Sequence, residues 1–507
     1  MKSRSRGVAL SYLNTVMNMV CGFFLSSFFV KMLGDTEYGL YQMVTSFVSY
    51  LVLLEFGTGT AMTRNINRCR ANNAERETIQ RNISTIWTIS VLLAFLILAA
   101  SVIFYSQIGN IYRKLSDSQV AYVQKILVFQ VGYLTVSFLS NTLNGILLGY
   151  EEYSIGPIIA TVKLVSRTLL LVGIVSRYRY AIVIAIVDML ISLAVLCCLL
   201  LFCVHKFNIS FSMRMFDWEI FRETLPLCAA MFIQILVNQA NSSVDQFIIG
   251  IELTPEHVAY YSIGLFFYSA FSSLTTVPIT MYGPQIIKDV TQQVSEDILM
   301  DHLAAPSRLI TLIGTTVLCG FIAAGRQFIQ LFYGSDYFVA WYVAIIIMLP
   351  MMINMSSGVL INVLDALNKR MMRSYALVFT TAANIVLTVI FIDIWGIIGA
   401  CAATALCTLV GQVGIMCVYY SKILKIKIMR LYYRAYNGIL IPQLVATVIT
   451  FQIGTQIDNP LLSFILSSCS YLCIFGFLYV KFGMQSEEKK ILYTIIDRLG
   501  NIRRTMQ

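Results

Sequence analysis

The chain has 507 residues, of which 58% are hydrophobic and 12% charged, with a formal net charge of +10. Soluble domains carry about 25% charged residues; at half that level a soluble chain would lack the polar surface to stay dissolved, so the class is integral membrane protein. The positive charge is accounted for by membrane topology, and no nucleic-acid partner is expected.

About 20 apolar residues cross the hydrocarbon of a bilayer. On that ruler the sequence predicts an all-α polytopic membrane protein with about fourteen transmembrane helices. In chain order they run near 8–30, 39–62, 83–105, 120–148, 157–175, 180–204, 224–250, 258–284, 309–331, 340–364, 375–393, 396–420, 438–456 and 461–480. The N-terminal MKSRSRG is basic, but the apolar run behind it reaches Val30, too long for the core of a cleaved signal. With the N-terminus in the cytoplasm, 27 of the 36 Lys and Arg fall inside, 6 outside and 3 within spans. The positive-inside rule therefore puts both termini in the cytoplasm. The outer loops are all short. In the tail, Ile491, Leu492, Ile495, Ile496, Leu499 and Ile502 share one helical face, as expected of a helix lying on an anionic lipid leaflet.

The two halves repeat each other weakly. LGDTEYGLY (Leu33–Tyr41) and IGIELTPEHVAYY (Ile249–Tyr261) both join a span to the next, and Glu37 and Glu256 are 219 residues apart. Asn14 and Asn18 match Gln234 and Asn238 at an offset of 220. NGILLGYEEYS (Asn144–Ser154) and VLDALNKRMMRS (Val363–Ser374) are again about 219 apart. A six-helix duplication with parallel halves explains these matches. The expected division is an N-terminal six-helix lobe over 1–204 and a cytoplasmic inter-lobe linker over 205–223. A C-terminal six-helix lobe over 224–420 follows, then a basic cytoplasmic loop with two extra transmembrane helices over 421–482 and a cytoplasmic amphipathic tail over 483–507.

Twelve cysteines, eleven of them in apolar segments, form no CxxC pair, and the three histidines stand far apart. No metal or other cofactor is expected. No Walker loop, HExxH or GxSxG occurs, so nothing points to nucleotide hydrolysis or acyl transfer.

In LGDTEYGLYQMV, in LLEFGTGTAMTR (Leu53–Arg64), in LPLCAAMFIQILVNQANSSVDQFIIG and in the fourteen-span, two-lobe layout, the chain resembles the bacterial polysaccharide transport proteins. These are the O-antigen and capsule repeat-unit flippases of the multidrug/oligosaccharidyl-lipid/polysaccharide exporter superfamily. The resemblance implies two lobes around a cavity that opens alternately to either side of the cytoplasmic (inner) membrane. It implies no enzyme activity; the cargo is an undecaprenyl-diphosphate-linked oligosaccharide. A polysaccharide polymerase and chain-length machinery would be further partners.

A charge inside a span is costly unless it faces a cavity or a partner. Six ionisable residues are so placed: Glu55, Lys125, Lys163, Arg167, Asp188 and Asp245. Lys163 and Arg167 share one face of the fifth span, on the order of 9 and 15 Å deep at 1.5 Å per residue. Two cations on one face suit a diphosphate; they suit equally a structural pairing with Glu55 or Asp188. Uncharged stripes fit sugar hydroxyls: Ser11, Asn14 and Asn18 on the first span, Ser137, Asn141 and Asn144 on the fourth, and Asn354, Ser357 and Asn362 on the tenth. On the seventh span, Gln234, Asn238, Asn241 and Asp245 form one continuous stripe. The same amides would also serve as interhelical glue. The expected binding residues are Arg167, Lys163, Asn14, Asn18, Gln234, Asn238, Asn241 and Asn141. Glu55, Asp188 and Asp245 are expected to couple an ion or balance charge. The alternatives are a multidrug/cation antiporter or peptidoglycan-precursor flippase of the same superfamily and, from another class, a membrane glycosyltransferase or polysaccharide polymerase.

Overall fold

The computed structural model describes residues 2–367, 369, 371–422, 424–485 and 488–489; within its helices the side chains of 2–13, 15, 230, 233, 234, 237, 238 and 240–243 are not described. Helices α1 (Lys2–Leu33), α2 (Asp35–Leu51), α3 (Thr58–Ala71), α4 (Arg76–Ile111), α5 (Asp117–Gly149), α6 (Ile155–Arg177) and α7 (Ile182–Phe207) cover the first half. After a loop come α8 (Trp218–Glu252), α9 (Pro255–Thr291), α10 (Glu296–Phe332), α11 (Phe338–Ser356), α12 (Leu360–Ala366) and α13 (Met371–Trp395). The last are α14 (Ile397–Cys407), α15 (Met416–Lys422), α16 (Ile428–Tyr436), α17 (Leu440–Thr455) and α18 (Pro460–Leu478).

Among the described residues there is no strand. Among the described residues, twelve helices are long and apolar enough to cross a membrane, or thirteen if α16 and α17, bent by 46°, count as one span. The expected span 224–250 lies within α8, where many side chains fall outside the described residues. Fourteen is thus an approximate count. The amphipathic tail helix expected over 483–507 also falls largely outside the described residues.

Helix ends follow local chemistry. Asp217 caps α8, its carboxylate accepting from the amides of Glu219 at 2.8 Å and Ile220 at 3.4 Å. Ser116 and Gln119 form a reciprocal capping box at the start of α5. Asn459 caps α18, whose first residue is Pro460. Outward apolar side chains such as Leu92, Phe95, Val102 and Ile103 of α4 are exposed, which a lipid solvent satisfies and water would not.

Two expected spans are broken. Span two divides into α2 and α3 at a short 3₁₀ turn (Val52–Glu55), followed by Phe56 (φ 49°) and Gly57 (φ 65°), both left-handed. A β-carbon on Gly57 would lie 2.6 Å from that of Met231 in α8, so this break needs glycine for both conformation and space. Span ten divides into α11 and α12 at Ser357–Val359. A π-helical stretch, Thr408–Ile415, separates α14 from α15.

The chain falls into two compact units: Met1–Ser262 with Ile392–Ile397, and Ile263–Phe391 with Ile398–Gln507. In the first, α5 packs on α3, α4 and α7, and α8 packs on α2. Small residues permit the closest approach: a β-carbon on Gly145 would stand 2.4 Å from the Gly59 carbonyl oxygen. In the second, α10 is the central pillar, packed by α11, α16, α17 and α18.

Candidate functional site

The short turn between α6 and α7 sets these helices side by side, with Arg167 ten residues before the end of α6 and Asp188 six after the start of α7. The length of the arginine side chain closes the difference in height. Its Nε donates to Asp188 Oδ1 at 2.5 Å and its Nη2 to Oδ2 at 2.9 Å, a two-pronged pair. The Asp188 side chain is 8% exposed and that of Arg167 28%, so the carboxylate is enclosed and the arginine side chain is the more open of the two.

Lys163, one turn before Arg167, places its ammonium 5.3 Å from the centre of the Tyr133 ring on α5, a cation–π contact. Among the described residues no carboxylate lies within salt-bridge distance of Lys163. Tyr41 of α2 and Tyr133 lie within electrostatic reach of the pair. Neither tyrosine was marked by sequence pattern, because an aromatic residue in a span reads as packing.

Glu55 and Asn141 also meet. Glu55 ends the 3₁₀ turn of the broken span, and Asn141 of α5 lies within electrostatic reach of its carboxylate. Of the two carboxylates expected beside Arg167, Asp188 takes the guanidinium, while Glu55 lies near Asn141.

Other expected site residues lie in separate places. Asn18 donates to the Asn14 carbonyl at 2.8 Å and to its side-chain oxygen at 3.0 Å, so part of this stripe bonds within its own helix. Asp245 accepts from the Tyr261 hydroxyl at 3.0 Å. Its neighbour Gln246 bonds Ser262 at 2.8 Å, and Gln239 bonds Ser49 at 2.8 Å. The side chains of Gln234, Asn238 and Asn241 lie outside the described residues. The described residues hold no group of three or more His, Cys, Asp or Glu able to bind a metal ion.

The two repeated motifs pack on one another, a pairing the sequence did not reveal. Thr36 donates to Glu256 at 2.7 Å, and Gly39 abuts Pro255, where a β-carbon would stand 2.0 Å from the Pro255 carbonyl oxygen. Glu37 accepts from the Tyr122 hydroxyl at 2.7 Å and from the Ala181 amide at 2.9 Å, fastening the α6–α7 turn that positions Arg167 and Asp188.

A family model described as polysaccharide biosynthesis protein matches residues 28–342, which is more than half of the chain. The chain belongs to this family. Membership bears out the resemblance drawn from the motifs and the helix layout. The chain is also similar to a probable low-salt glycan biosynthesis flippase, Agl15, of Haloferax volcanii, with 28% identity over 172 residues. That match spans 32% of this chain and 35% of the relative, about a third of the relative's length. By fold, the chain is similar to the lipid II flippase MurJ in an inward closed conformation. The TM-score is 0.72 at 16% identity, covering 94% of this chain and 99% of that one. It is likewise similar to an inward-facing multidrug resistance MATE family transporter of the MOP superfamily. Here the TM-score is 0.67 at 13% identity, covering 82% of this chain and 95% of that one. This family member is thus a multi-pass membrane protein with the all-helical fold of MurJ and the MATE transporters.

Proposed function

We propose that this protein is a flippase that carries a polyprenyl-diphosphate-linked oligosaccharide across the bacterial cytoplasmic membrane by alternating access. Membership of a polysaccharide biosynthesis family supports the glycan side of this reading. The observation that carries the diphosphate side is the Arg167–Asp188 pair with Lys163 one turn away. All the guanidinium bonds described for Arg167 go to a single carboxylate. A diphosphate offers the same paired anionic oxygens, so it can take the place of Asp188 without leaving the cation unpaired. Lys163, held over an aromatic face, neutralises a second phosphate. An aqueous cation cargo gains nothing from two cations here, which disfavours the multidrug/cation antiporter. Fold likeness at 13–16% identity does not choose among cargoes.

Alternating access follows from differential affinity: the cargo shifts the inward/outward balance only as far as it binds one state better. Exchange of Asp188 for diphosphate at Arg167 couples binding to the freeing of a carboxylate on the neighbouring helix. No bond is made or broken in the cargo, so the proposed activity needs no catalytic residue.

Arg167→Ala should abolish export of lipid-linked oligosaccharide while the protein stays in the membrane at normal abundance. A structural pair and a binding pair are separated by the double replacement Arg167→Leu/Asp188→Leu. If the pair only balances charge, the neutral double variant exports normally and the proposal is wrong.

A further inference from the structure

The second unit contains a cavity of about 190 Å³ bounded by α9, α11, α13 and the π-helical stretch before α15. For scale, an apolar cavity of about 150 Å³ admits a benzene ring. Thr276, Asn354, Ser357, Gln412 and Tyr420 supply polar groups to its wall, and apolar side chains such as Ile361 and Leu377 supply the rest. Arg373 lines it as well.

Two irregular backbone segments converge on this cavity. One is the α11–α12 break, where the Ser357 amide bonds Asn354 O at 3.2 Å and the Gly358 amide bonds Met355 O at 2.8 Å. The other is the π-helical turn that carries Gln412. Backbone that departs from α-helix at membrane depth is tolerated where it is buried in protein or lines a cavity, and π-turns concentrate at functional sites. The Asn354 amide donates to Gln412 Oε1 at 2.9 Å. That bond orients both side chains and leaves the Gln412 amide hydrogens and the Asn354 carbonyl oxygen for a third group. A donor beside an acceptor matches adjacent hydroxyls, each of which both gives and takes a hydrogen bond.

We propose that this cavity is a binding site for one hydroxylated six-membered ring, a single hexose of the glycan. The Asn354–Gln412 pair reads two neighbouring hydroxyls, and the apolar wall accepts the ring's C–H faces. The site is distinct from Arg167 and Asp188, which belong to the first unit; its place in transport rests on the flippase reading, but its sugar binding does not.

The test uses the full-length protein in lipid nanodiscs and saturation-transfer NMR, with methyl α-D-glucoside as probe and cyclohexanol as a ring of similar frame without the hydroxyl array. Wild type should transfer saturation to the glucoside and far less to cyclohexanol. Gln412→Leu, which removes the hydroxyl-reading amide, should weaken glucoside binding at least about tenfold. Ile361→Phe, which fills the cavity and keeps every polar group, should do the same with an unchanged melting temperature. Arg167→Ala should bind the glucoside as wild type does. If Arg167→Ala also exports normally, the diphosphate reading fails while the hexose site stands. No transfer to the glucoside in wild type, equal transfer to cyclohexanol, or undiminished binding in both cavity variants would overturn the hexose site.

Discussion

Among the described residues, the least exposed arginines of the two units are partnered in opposite ways. In the first, both described guanidinium bonds of Arg167 go to one carboxylate, Asp188. In the second, Arg308 of α10, its side chain 5% exposed, gathers acceptors from several elements. It donates to Glu488 at 2.7 Å and 3.3 Å, to the Asn437 carbonyl at 2.5 Å, to Gly483 at 2.7 Å and to Arg434 at 3.4 Å. Backbone carbonyls are fixed by the fold and have no other cation to serve, so Arg308 is a permanent fastener. A lone side-chain carboxylate can swing away when another anion arrives. The number and kind of acceptors, more than burial, separates the arginine that holds the fold from the one proposed to hold cargo.

The largest expected effect attacks the fastener. Arg308→Met leaves three carbonyls and Glu488 without their cation, and should cost roughly 3–5 kcal/mol, read as a collapse of membrane abundance and melting temperature. If abundance stays normal, the contrast between the two arginines dissolves. The neutral double variant Arg167→Leu/Asp188→Leu should behave conversely: removing a buried pair as a pair is often neutral, or stabilising by about 1–4 kcal/mol. Its melting temperature should match or exceed wild type while export is lost.

A third prediction bears on the first unit's broken span. Gly57→Ala adds a β-carbon at φ 65°, 2.6 Å from Met231. It should cost about 1–2 kcal/mol for the left-handed backbone and a further ~1–3 kcal/mol for overpacking. Gly173, with no atom within 4 Å of the corresponding point, is the control, and Gly173→Ala should not lower the melting temperature. Equal losses at both glycines would mean that the break is incidental.

The smallest effect is a pH dependence of the second unit. Burial raises the Glu488 pKa, but hydrogen bonds from Arg308 and the Gln485 amide outweigh it and hold the carboxyl below its ordinary range. A lowered folded-state pKa adds stability above the unfolded value of about 4.3, which is lost as pH falls through the lower folded value. Glu488→Gln should therefore melt earlier than wild type at pH 7, by about 1 kcal/mol or less, and the gap should close once the pH has fallen through the lowered folded value. A gap that persists in acid would assign the effect to packing rather than to the ion pair.

Hydropathy made the spans legible, because bilayer thickness imposes a length on every crossing segment. Counting about 1.5 Å per residue also sets Arg167 deep in its span, and Asp188 is among the ionisable residues marked within spans. It did not choose between Asp188 and Glu55 as the partner. That choice depends on how each helix is rotated about its axis, and an apolar helix facing lipid on one side and protein on the other carries little periodic signal. The break at Phe56–Gly57 escaped for a related reason: phenylalanine rarely adopts a left-handed conformation, and the residues around it are apolar enough to read as continuous helix. The π-turn at Gln412 left no composition cue either. Tyr133 became visible as a partner of Lys163 only once α5 and α6 were set side by side.

Arg308 also bears on how the molecule is made. Every described acceptor of its side chain lies after residue 433, within or beyond the stretch that reads as an appendage to twelve helices. A ribosome that has just finished α10 has released a guanidinium whose counterparts are still unsynthesised. A chain stopped after α15 would keep its first twelve expected spans and yet carry an unsatisfied cation at a packed helix junction. Loss of the chain beyond α15 should therefore destabilise the second unit, and a nonsense mutation late in the gene should yield a chain that the membrane's proteases remove.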